Sequence, residues 1–554
     1  MKQPQSEGGF WPSFAAVSLL VIVVAAIRWS FAHPYGIHWD ESLYFNDSAL
    51  DVQRLRNGML LTILKRFFLD SGGRPPAFRL LALPVLTVFG FHTFTARLVS
   101  LACYSATCWF IYKATRQVGS AMAGAFAILI FALSPEVISG SIFFSTDAPL
   151  YLATSAMLYY IFLSWSDQPE RASTWIGLGL ALGLGLLSKT SFFAIAAPVL
   201  AFWLITGLYG KLGVPSLFRQ WKAGVLAFVV GVPWWVLNAK TAMAYAQYAR
   251  GFVRNSLGPP SVGTWMRWLN TVIQCLLGHG LSILIALVLI AYIRAVISNR
   301  SSLLNPLERV VLGACLCAGL PIVLAQLSGT NHLLRHITPA MVPLAIVIGL
   351  LADKTAWLRS APTMALSGIL VCAQLAMLVA PVVFPNKAPV EIGFVNGALP
   401  WQTMARFDQW NWIPVRDIST QCGAVAPKLA SLGIGRSFTP PAIQYAWLEQ
   451  PPSNRRDPIN PPFLKWLWRY EDGALDWQKV MDAADQSDVV ITAPAYVGER
   501  NNKEDLDNQH NAEFAARLSQ DPRFQKPFRL QMGRFERIEV DVFLSKNLVC
   551  PSAQ

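Results

Sequence analysis

The sequence is poor in charge: Asp, Glu, Lys and Arg make up 14% of its 554 residues, whereas hydrophobic residues make up 54%. Soluble domains rarely combine these two proportions, so we expect the lipid bilayer to surround most of the chain. The formal net charge of +13 could indicate a nucleic-acid-binding protein. That function is disfavoured because Lys and Arg lie mostly in short clusters between apolar runs, as is typical of membrane proteins.

Two further signals are missing from the sequence. No small-residue cleavage site follows the apolar run 14–27 before Arg28, so we interpret this run as an uncleaved first span rather than a signal peptide. The eight cysteines show no spacing typical of a zinc site. Most of them lie in or beside apolar runs, where cysteine behaves as a small hydrophobic residue. Cys422 and Cys550 instead stand alone in the polar C-terminal part.

The composition changes near residue 385. Residues 1–385 form a succession of apolar runs, each near the length that spans about 30 Å of hydrocarbon. Residues 386–554 are rich in Trp, Pro, Asp and Arg and contain no such run, so we predict a separate soluble domain there. Within it, residues 487–492 read as a buried strand and residues 534–544 alternate like another, which predicts a small α/β domain.

We therefore predict an α-helical polytopic membrane domain with about 11 transmembrane helices. The apolar stretch 75–91 is at the lower length limit, and we place it along the interface with the other helices of the first outer loop. The basic loops then all face one side, which the positive-inside rule makes cytoplasmic. The predicted spans lie near 12–31, 93–113, 119–134, 148–165, 173–188, 191–208, 222–238, 279–297, 309–327, 337–352 and 361–384.

This topology places every segment of chemical interest on the outer face. In a bacterial inner membrane that face is the periplasm, where disulfides form, so we predict a Cys422–Cys550 disulfide. The outer segments are His38–Arg74, the Ser145–Asp147 turn, Lys189, the loop 239–278, the Asn331–His336 turn and the C-terminal domain.

The first outer loop contains His38-Trp39-Asp40-Glu41 directly after a span, with Tyr44 close behind. Carboxylates flanked by aromatic residues at the wet edge of a bilayer are candidates for an active site. Asp40 could accept a proton from an acceptor hydroxyl as a general base. Asp40 and Glu41 could also hold a divalent cation through oxygen ligands, although we expect none to be required. A solvated acidic loop without catalytic function is the alternative.

Two other outer segments carry candidate residues. Arg74 and Arg79 flank a Pro-Pro pair, and their guanidinium groups are suited to phosphate; snorkelling to lipid headgroups is the alternative. Asp147 lies at the start of a span with Pro149 in its first turn, so it could cap that helix, belong to the active site, or do both.

Taken in order, five elements give a specific resemblance to a family. They are the acidic loop, the Arg74-Pro-Pro segment, Gly90 to Arg97, Ser134-Pro135-Glu136 followed by Asp147-Ala148-Pro149, and Leu186 to Lys189. A later turn, Leu334 to Pro343, is similar to an R-Y-x-x-P-x-x-P element. Over about residues 10–350 the chain resembles the GT-C glycosyltransferases, in the bacterial branch of the dolichyl-phosphate-mannose protein mannosyltransferase superfamily that includes lipid A aminoarabinose transferase.

The resemblance implies roles for individual residues. Asp40 matches the family's essential first-loop carboxylate, Glu41 its acidic neighbour, and Asp147 a second acidic position. Arg74 stands where several relatives have a Lys that contacts the polyprenyl phosphate. The resemblance also implies Lys189 and Arg335 as donor-phosphate ligands, and His336, which replaces the usual Tyr, Arg250 and Arg254 as candidate substrate contacts. From their places in the outer segments, Arg79 is a further candidate phosphate ligand, and His38 and Tyr44 are further candidate substrate contacts.

The function this implies is inverting transfer of one sugar from a polyprenyl-phosphate monosaccharide to a periplasmic acceptor, such as lipopolysaccharide, lipid A or another envelope glycan. A protein acceptor, as in protein O-mannosyltransferases, is one alternative, and a polyprenyl-lipid transporter or flippase is another. The family pattern assigns no catalytic residue to the C-terminal domain. Its residues Trp401, Trp410 and Trp412 could stack on a sugar, but core or membrane-belt packing is the preferred interpretation.

Overall fold

The fold is described from a computed structural model of the full chain. It describes residues 9–34, 39–69, 74–165, 172–209, 221–257, 262–299, 303–328, 334–355, 360–383, 410–424, 427–432, 438, 440–448, 464–467, 474–495, 510–533 and 537–550. These residues fall into two compact units. The first combines residues from 1–30, 64–81 and 97–405, and the second combines residues from 31–63, 82–96 and 406–554.

A helix is present at each predicted span. These helices are Phe10–Ala32, Thr93–Val118, Ala121–Ala132, Asp147–Ser164, Ala172–Leu186, Phe192–Tyr209, Trp221–Leu257, His279–Asn299, Pro306–Ser328, Met341–Asp353 and Ala361–Val383. Among the described residues, six helices are long and apolar enough to cross a membrane, or seven if a bent pair counts as one span. The chain is thus a multi-pass membrane protein, and the number of spans stays a prediction.

The bent pair consists of Ala121–Ala132 and Pro135–Ile142, whose axes differ by 69°. Pro135 causes the break, because proline has no N–H to continue the helical hydrogen bonds and is well suited to the first turn of the next helix. Elsewhere in the first unit, glycines bring helices into close contact. A Cβ at Gly183 would lie 2.7 Å from Val230, and one at Gly231 would lie 2.7 Å from Leu186, so Ala172–Leu186 and Trp221–Leu257 pack with little space between their backbones.

The first outer loop is helical, with Trp39–Arg56, Leu60–Leu69 and Ala77–Phe89. The helix Leu60–Leu69 exposes Leu60, Leu61 and Leu64, as expected of a helix at the membrane interface. Gly90 ends the last of these helices with φ +89°, a conformation that glycine adopts without strain.

Residues 239–278 were expected to form a loop, and this prediction is wrong because the described residues of this segment are mostly helical. Trp221–Leu257 continues well beyond the apolar window that ends at Tyr245, and Val262–Thr271 and a π-helix, Val272–Leu277, follow it. Residues 240–250 contain four alanines and no proline, and alanine is the best helix former, so the helix does not end where the hydrophobic stretch ends.

The C-terminal part is an α/β domain, as predicted. Its five strands are β1 (Leu429–Ser431), β2 (Leu464–Trp466), β3 (Val489–Thr492), β4 (Phe528–Met532) and β5 (Ile538–Leu544), in the sheet order β2-β1-β3-β5-β4. β1 pairs in parallel with β2 and β3, with Leu429 opposite Val489, whereas β5 is antiparallel to β3 and β4. Residues 487–492 and 534–544, which were expected to form strands, contain β3 and β5.

Helices cover both faces of this sheet. Ile413–Gln421 and Pro440–Leu448 pack on the face that contains Val489 and Ile491, and Trp477–Asp485 and Asn511–Gln520 pack on the face that contains Val490. Trp410 and Trp412 are buried in the first of these cores and stack on Phe438, with ring centroids 6.0 and 5.7 Å away. Their interpretation as packing residues is confirmed, and Trp401 lies outside the described residues.

The predicted Cys422–Cys550 disulfide is present, with 4.0 Å between the two Cα atoms. It joins the end of helix Ile413–Gln421 to the segment that follows β5. The disulfide therefore closes the chain across 128 residues of this domain.

Candidate functional site

Asp147 and Lys189 form an ion pair in the first unit. Lys189 Nζ donates a hydrogen bond of 2.6 Å to Asp147 Oδ1. Asp147 is the first residue of its helix and is buried, and its backbone N–H donates to Ser145 Oγ. Lys189 lies in the short turn between the helices Ala172–Leu186 and Phe192–Tyr209. A carboxylate removed from water in this way is stabilised by the ammonium group beside it.

Arg335 adds positive charge to the same place, and His336 lies next to it in the chain. Both lie in the 3-10 turn Leu334–His336, both are half-buried, and both interact electrostatically with Asp147. The structure thus brings together four of the predicted site residues, Asp147, Lys189, Arg335 and His336, from three separate parts of the sequence.

Glu136 joins this cluster and was not among the predicted site residues. It lies in the first turn of helix Pro135–Ile142, which packs against the helix that begins with Asp147 and against the turn that contains Arg335. The signal was present in the sequence, because Ser134-Pro135-Glu136 places a carboxylate directly after an apolar run where Pro135 begins a new helix. The cluster therefore contains two acidic side chains, Glu136 and Asp147, and two basic ones, Lys189 and Arg335, together with His336.

Arg74 lies on a segment tied to the Lys189 turn. The backbone N–H of Ala77 donates to the carbonyl oxygen of Leu187 over 2.8 Å, two residues before Lys189. Arg74 itself is half-buried, donates to Tyr245 Oη over 3.1 Å and has its guanidinium carbon 5.2 Å from the centre of that ring. Arg74 is thus oriented by an aromatic side chain of helix Trp221–Leu257.

Arg79 has a different environment from Arg74. It is only 2% exposed, and its guanidinium carbon lies 4.9 Å from the centre of the Phe67 ring. A side chain packed inside the protein does not extend to the lipid headgroups. Its assignment as a phosphate ligand stays a prediction.

The first-loop carboxylates belong to the second unit. Asp40 and Glu41 lie in the first turn of helix Trp39–Arg56, where the positive end of the helix dipole stabilises negative charge. Asp40 is half-buried, and Glu41 and Tyr44 are buried. His38, the residue before this helix, lies outside the described residues.

Within the second unit, the C-terminal domain packs against this first-loop helix. Helix Pro440–Leu448 packs against Trp39–Arg56, and Asn46 Nδ2 donates to the carbonyl oxygen of Pro441 over 2.9 Å. Thr93 Oγ1 donates to Tyr445 Oη over 2.7 Å, and the Tyr445 ring lies 4.8 Å from that of Phe45. These contacts fix helix Trp39–Arg56, whose first turn contains Asp40 and Glu41.

Arg250 and Arg254 lie near the end of helix Trp221–Leu257, and the orientation of their side chains is outside the description. Their role as substrate contacts therefore stays a prediction. Among the described residues, no group of three or more His, Cys, Asp or Glu side chains could hold a metal ion. A divalent cation at Asp40 and Glu41 would need ligands from elsewhere.

Comparison with known proteins agrees with this picture. Residues 73–237 match the family described as dolichyl-phosphate-mannose-protein mannosyltransferase. No curated protein matches the chain in sequence. The matched segment contains Arg74, Glu136, Asp147 and Lys189.

Several solved structures share the fold. One is ArnT from Cupriavidus metallidurans bound to undecaprenyl phosphate, with a TM-score of 0.59 and 15% identity over 97% of this chain and 98% of that one. The oligosaccharyltransferase of Archaeoglobus fulgidus in its apo form gives 0.51 and 13% over 95% and 74%. The arabinofuranosyltransferase AftD from Mycobacteria gives 0.50 and 12% over 98% and 40%. The chain therefore has the GT-C glycosyltransferase fold, and its residues 73–237 carry the sequence pattern of the dolichyl-phosphate-mannose-protein mannosyltransferase family.

Proposed function

We propose that this protein is an inverting glycosyltransferase that moves one sugar from a polyprenyl-phosphate monosaccharide to an acceptor in the periplasm. The observation that carries this proposal is the buried Asp147–Lys189 ion pair with Arg335 beside it. A similar fold in a protein crystallised with undecaprenyl phosphate supports a lipid phosphate as the donor group. Lipopolysaccharide, lipid A or another envelope glycan is the proposed acceptor.

The basic side chains would act on the leaving phosphate. When the bond between the sugar C1 and the phosphate oxygen breaks, the phosphate gains negative charge, and cations already in place lower the barrier because they need not reorganise. Lys189 and Arg335 are held by the structure near one carboxylate, and Arg74 lies on the segment hydrogen-bonded to the Lys189 turn. Asp147 would orient Lys189, so that one of its N–H groups points to the carboxylate and the others point to the phosphate.

Asp40 would serve the acceptor. As the acceptor oxygen forms its bond to C1 from the face opposite the phosphate, its proton passes to the Asp40 carboxylate, and the configuration at C1 inverts. If the acceptor is itself a phosphate, no proton needs to be removed, and Asp40 would only position it. Glu41, being buried, would shape the site rather than meet the substrate.

The proposed periplasmic location of the site is a second argument for a lipid-linked donor. Sugar nucleotides are made in the cytoplasm, so an enzyme whose site faces the periplasm needs a donor that reaches that side with the membrane. The proposal includes no metal step, because Lys189, Arg335 and Arg74 supply the positive charge. Full activity after EDTA treatment would agree with this, whereas loss of activity restored by Mg²⁺ or Mn²⁺ would favour a cation at Asp40 and Glu41.

Comparison of a deletion strain with its parent tests the proposal. We expect the parent's lipopolysaccharide or another envelope glycan to carry one extra sugar by mass spectrometry, and complementation with Asp147→Asn not to restore it. Loss of sugar from periplasmic proteins would instead indicate a protein acceptor. An unchanged set of glycans and proteins, with polyprenyl-phosphate sugar retained on the cytoplasmic side, would indicate a transporter.

A further inference from the structure

Gln374 is a buried amide in the middle of a predicted span. It lies in helix Ala361–Val383 and is 1% exposed. Its Nε2 donates to the carbonyl oxygens of Leu133 and Leu277 over 3.1 and 3.4 Å, and its Oε1 accepts from the backbone N–H of Gly280 over 3.2 Å. Both N–H groups and the oxygen of the amide are therefore used, each by a backbone group of another helix.

Each of these backbone groups lies where a helix is interrupted. Leu133 is the C-terminal cap of Ala121–Ala132, and the chain bends by 69° between this helix and the next one, Pro135–Ile142. Leu277 ends the π-helix Val272–Leu277, and Gly280 lies in the first turn of His279–Asn299. Backbone groups freed within a membrane have no water to bind, so a side chain must satisfy them.

The two glycines beside this amide leave no room for side chains of their own. Gly278 has φ +75°, and a Cβ there would lie 2.2 Å from Gln374 Nε2. A Cβ at Gly280 would lie 2.8 Å from the carbonyl oxygen of Leu370, one helical turn before Gln374. A second hydrogen bond joins the same two helix interruptions: Ser134 Oγ donates to the carbonyl oxygen of Leu276.

We propose that Gln374 is a positioning residue for the reaction: by joining the two helix interruptions, it holds Glu136 beside Asp147 and Arg335. Glu136 follows Leu133 by three residues, and its helix Pro135–Ile142 packs against both the helix that begins with Asp147 and the turn that contains Arg335. The inference rests on the proposed function, since Glu136 matters to catalysis only if the cluster acts on the substrate. Gln374 itself lies outside that cluster and acts through the backbone of residues 133–136.

Three variants of the full-length protein test the proposal. Gln374→Leu removes all three hydrogen bonds at nearly constant volume, and we expect kcat to fall about 100-fold while the KM for polyprenyl-phosphate sugar changes less than about threefold. Gln374→Glu is the conservative variant. Burial favours the neutral acid, whose hydroxyl donates to one carbonyl while its other oxygen accepts from Gly280, so we expect most of kcat to return. Ser367→Ala is the control, a buried polar residue on the same helix whose hydroxyl has no hydrogen-bond partner within the described part of the chain.

A second measurement does not depend on activity. Hydrogen–deuterium exchange in detergent should rise in Gln374→Leu within residues 131–138 and 272–280, and in neither segment for Ser367→Ala. Unchanged exchange in both segments, or full activity of Gln374→Leu in a preparation whose wild type is active, would overturn the inference. If the wild type transfers no sugar but exchange rises in Gln374→Leu as expected, the proposed function is overturned. The role of Gln374 in joining the two helix interruptions would still be established.

Discussion

Lys189 Nζ lies 2.6 Å from Asp147 Oδ1, and this pair joins the turn that follows one helix to the residue that begins another. The carboxylate is nearly inaccessible, whereas the side chain of Lys189 is 22% exposed. The Asp147 carboxylate thus fixes the ammonium group, while the Lys189 side chain remains partly exposed. That arrangement suits a cation that must be fixed in place and still meet a phosphate.

Removing either member of this pair should impair catalysis, and removing both should add little. We expect Asp147→Asn and Lys189→Met each to lower kcat/KM about 100-fold, and the double variant to be no more than about fivefold worse than the poorer single variant, because the residues act as a unit. Steady-state kinetics on the purified protein measure this. Strictly additive losses would show that the two residues act independently.

The contacts between the C-terminal domain and the first-loop helix Trp39–Arg56 should stabilise the second unit. Tyr445→Phe removes the hydroxyl that accepts from Thr93 and donates to the carbonyl oxygen of Pro34, but it keeps the ring against Phe45, and we expect it to cost about 1 kcal/mol of unfolding free energy. Thr93→Val should cost no more than this, and the double variant no more than Tyr445→Phe alone. Thermal unfolding in detergent measures this, and independent effects would show that the hydrogen bond is not the relevant contact.

The disulfide should stabilise the C-terminal domain strongly. It closes a loop of 128 residues, and the chain-entropy argument gives about 4–5 kcal/mol for a loop of this size. Replacement of both Cys422 and Cys550 by Ser should therefore lower the unfolding temperature of this domain. Dithiothreitol should have the same effect on the wild type and none on the variant. Mass mapping without reduction that finds two free thiols would contradict the assignment.

An acid-sensitive contact lies in the same domain. Arg523 donates to the carboxylate of Asp521 over 2.6–3.1 Å, and these hydrogen bonds lower the pKa of Asp521. Because the folded pKa is below the unfolded one, the contribution to stability is present at neutral pH and is lost as the pH falls through the folded pKa. Asp521→Asn should thus cost roughly 1 kcal/mol at pH 7, with a difference that shrinks below about pH 4.

A matched control for this contact is available. Glu513 and Arg517 form an ion pair one helical turn apart, with both side chains nearly half exposed, and water screens such a pair. Glu513→Gln should therefore change stability much less than Asp521→Asn does. The Asp521 side chain is only 8% exposed. Equal effects of the two substitutions on exchange in residues 510–533 would show that this lower exposure adds nothing to the stability that the contact provides.

Much of the fold could be predicted from the sequence because the membrane requires long apolar runs, and each run became a helix. Two of the five C-terminal strands, β5 and β3, followed from alternation and from the buried run at 487–492, respectively. The extension of Trp221–Leu257 could not be found in the same way. Hydropathy reports where a helix meets lipid, whereas alanine-rich propensity determines where the helix ends.

The cluster was predicted in part, since Asp147, Lys189, Arg335 and His336 each carried a motif or a charge beside a span. Glu136 was missed because its significance comes from a bend of 69° that brings it back to Asp147 and Arg335. Gln374 was missed for a related reason. A single amide in an apolar run carries no pattern, and its partners are backbone groups that periodicity does not reveal.

Transfer of labelled sugar from synthetic polyprenyl phosphate to an envelope glycan, followed in membranes that contain the wild type or Asp40→Asn, tests the central claim most directly. The account predicts that the wild type releases polyprenyl phosphate in equal amount to the sugar gained by the acceptor, with the anomeric configuration inverted. It predicts a rate at least about 100-fold lower for Asp40→Asn when the acceptor is a hydroxyl. Undiminished transfer by Asp40→Asn to such an acceptor, or movement of the donor across the membrane without any covalent change, would contradict it.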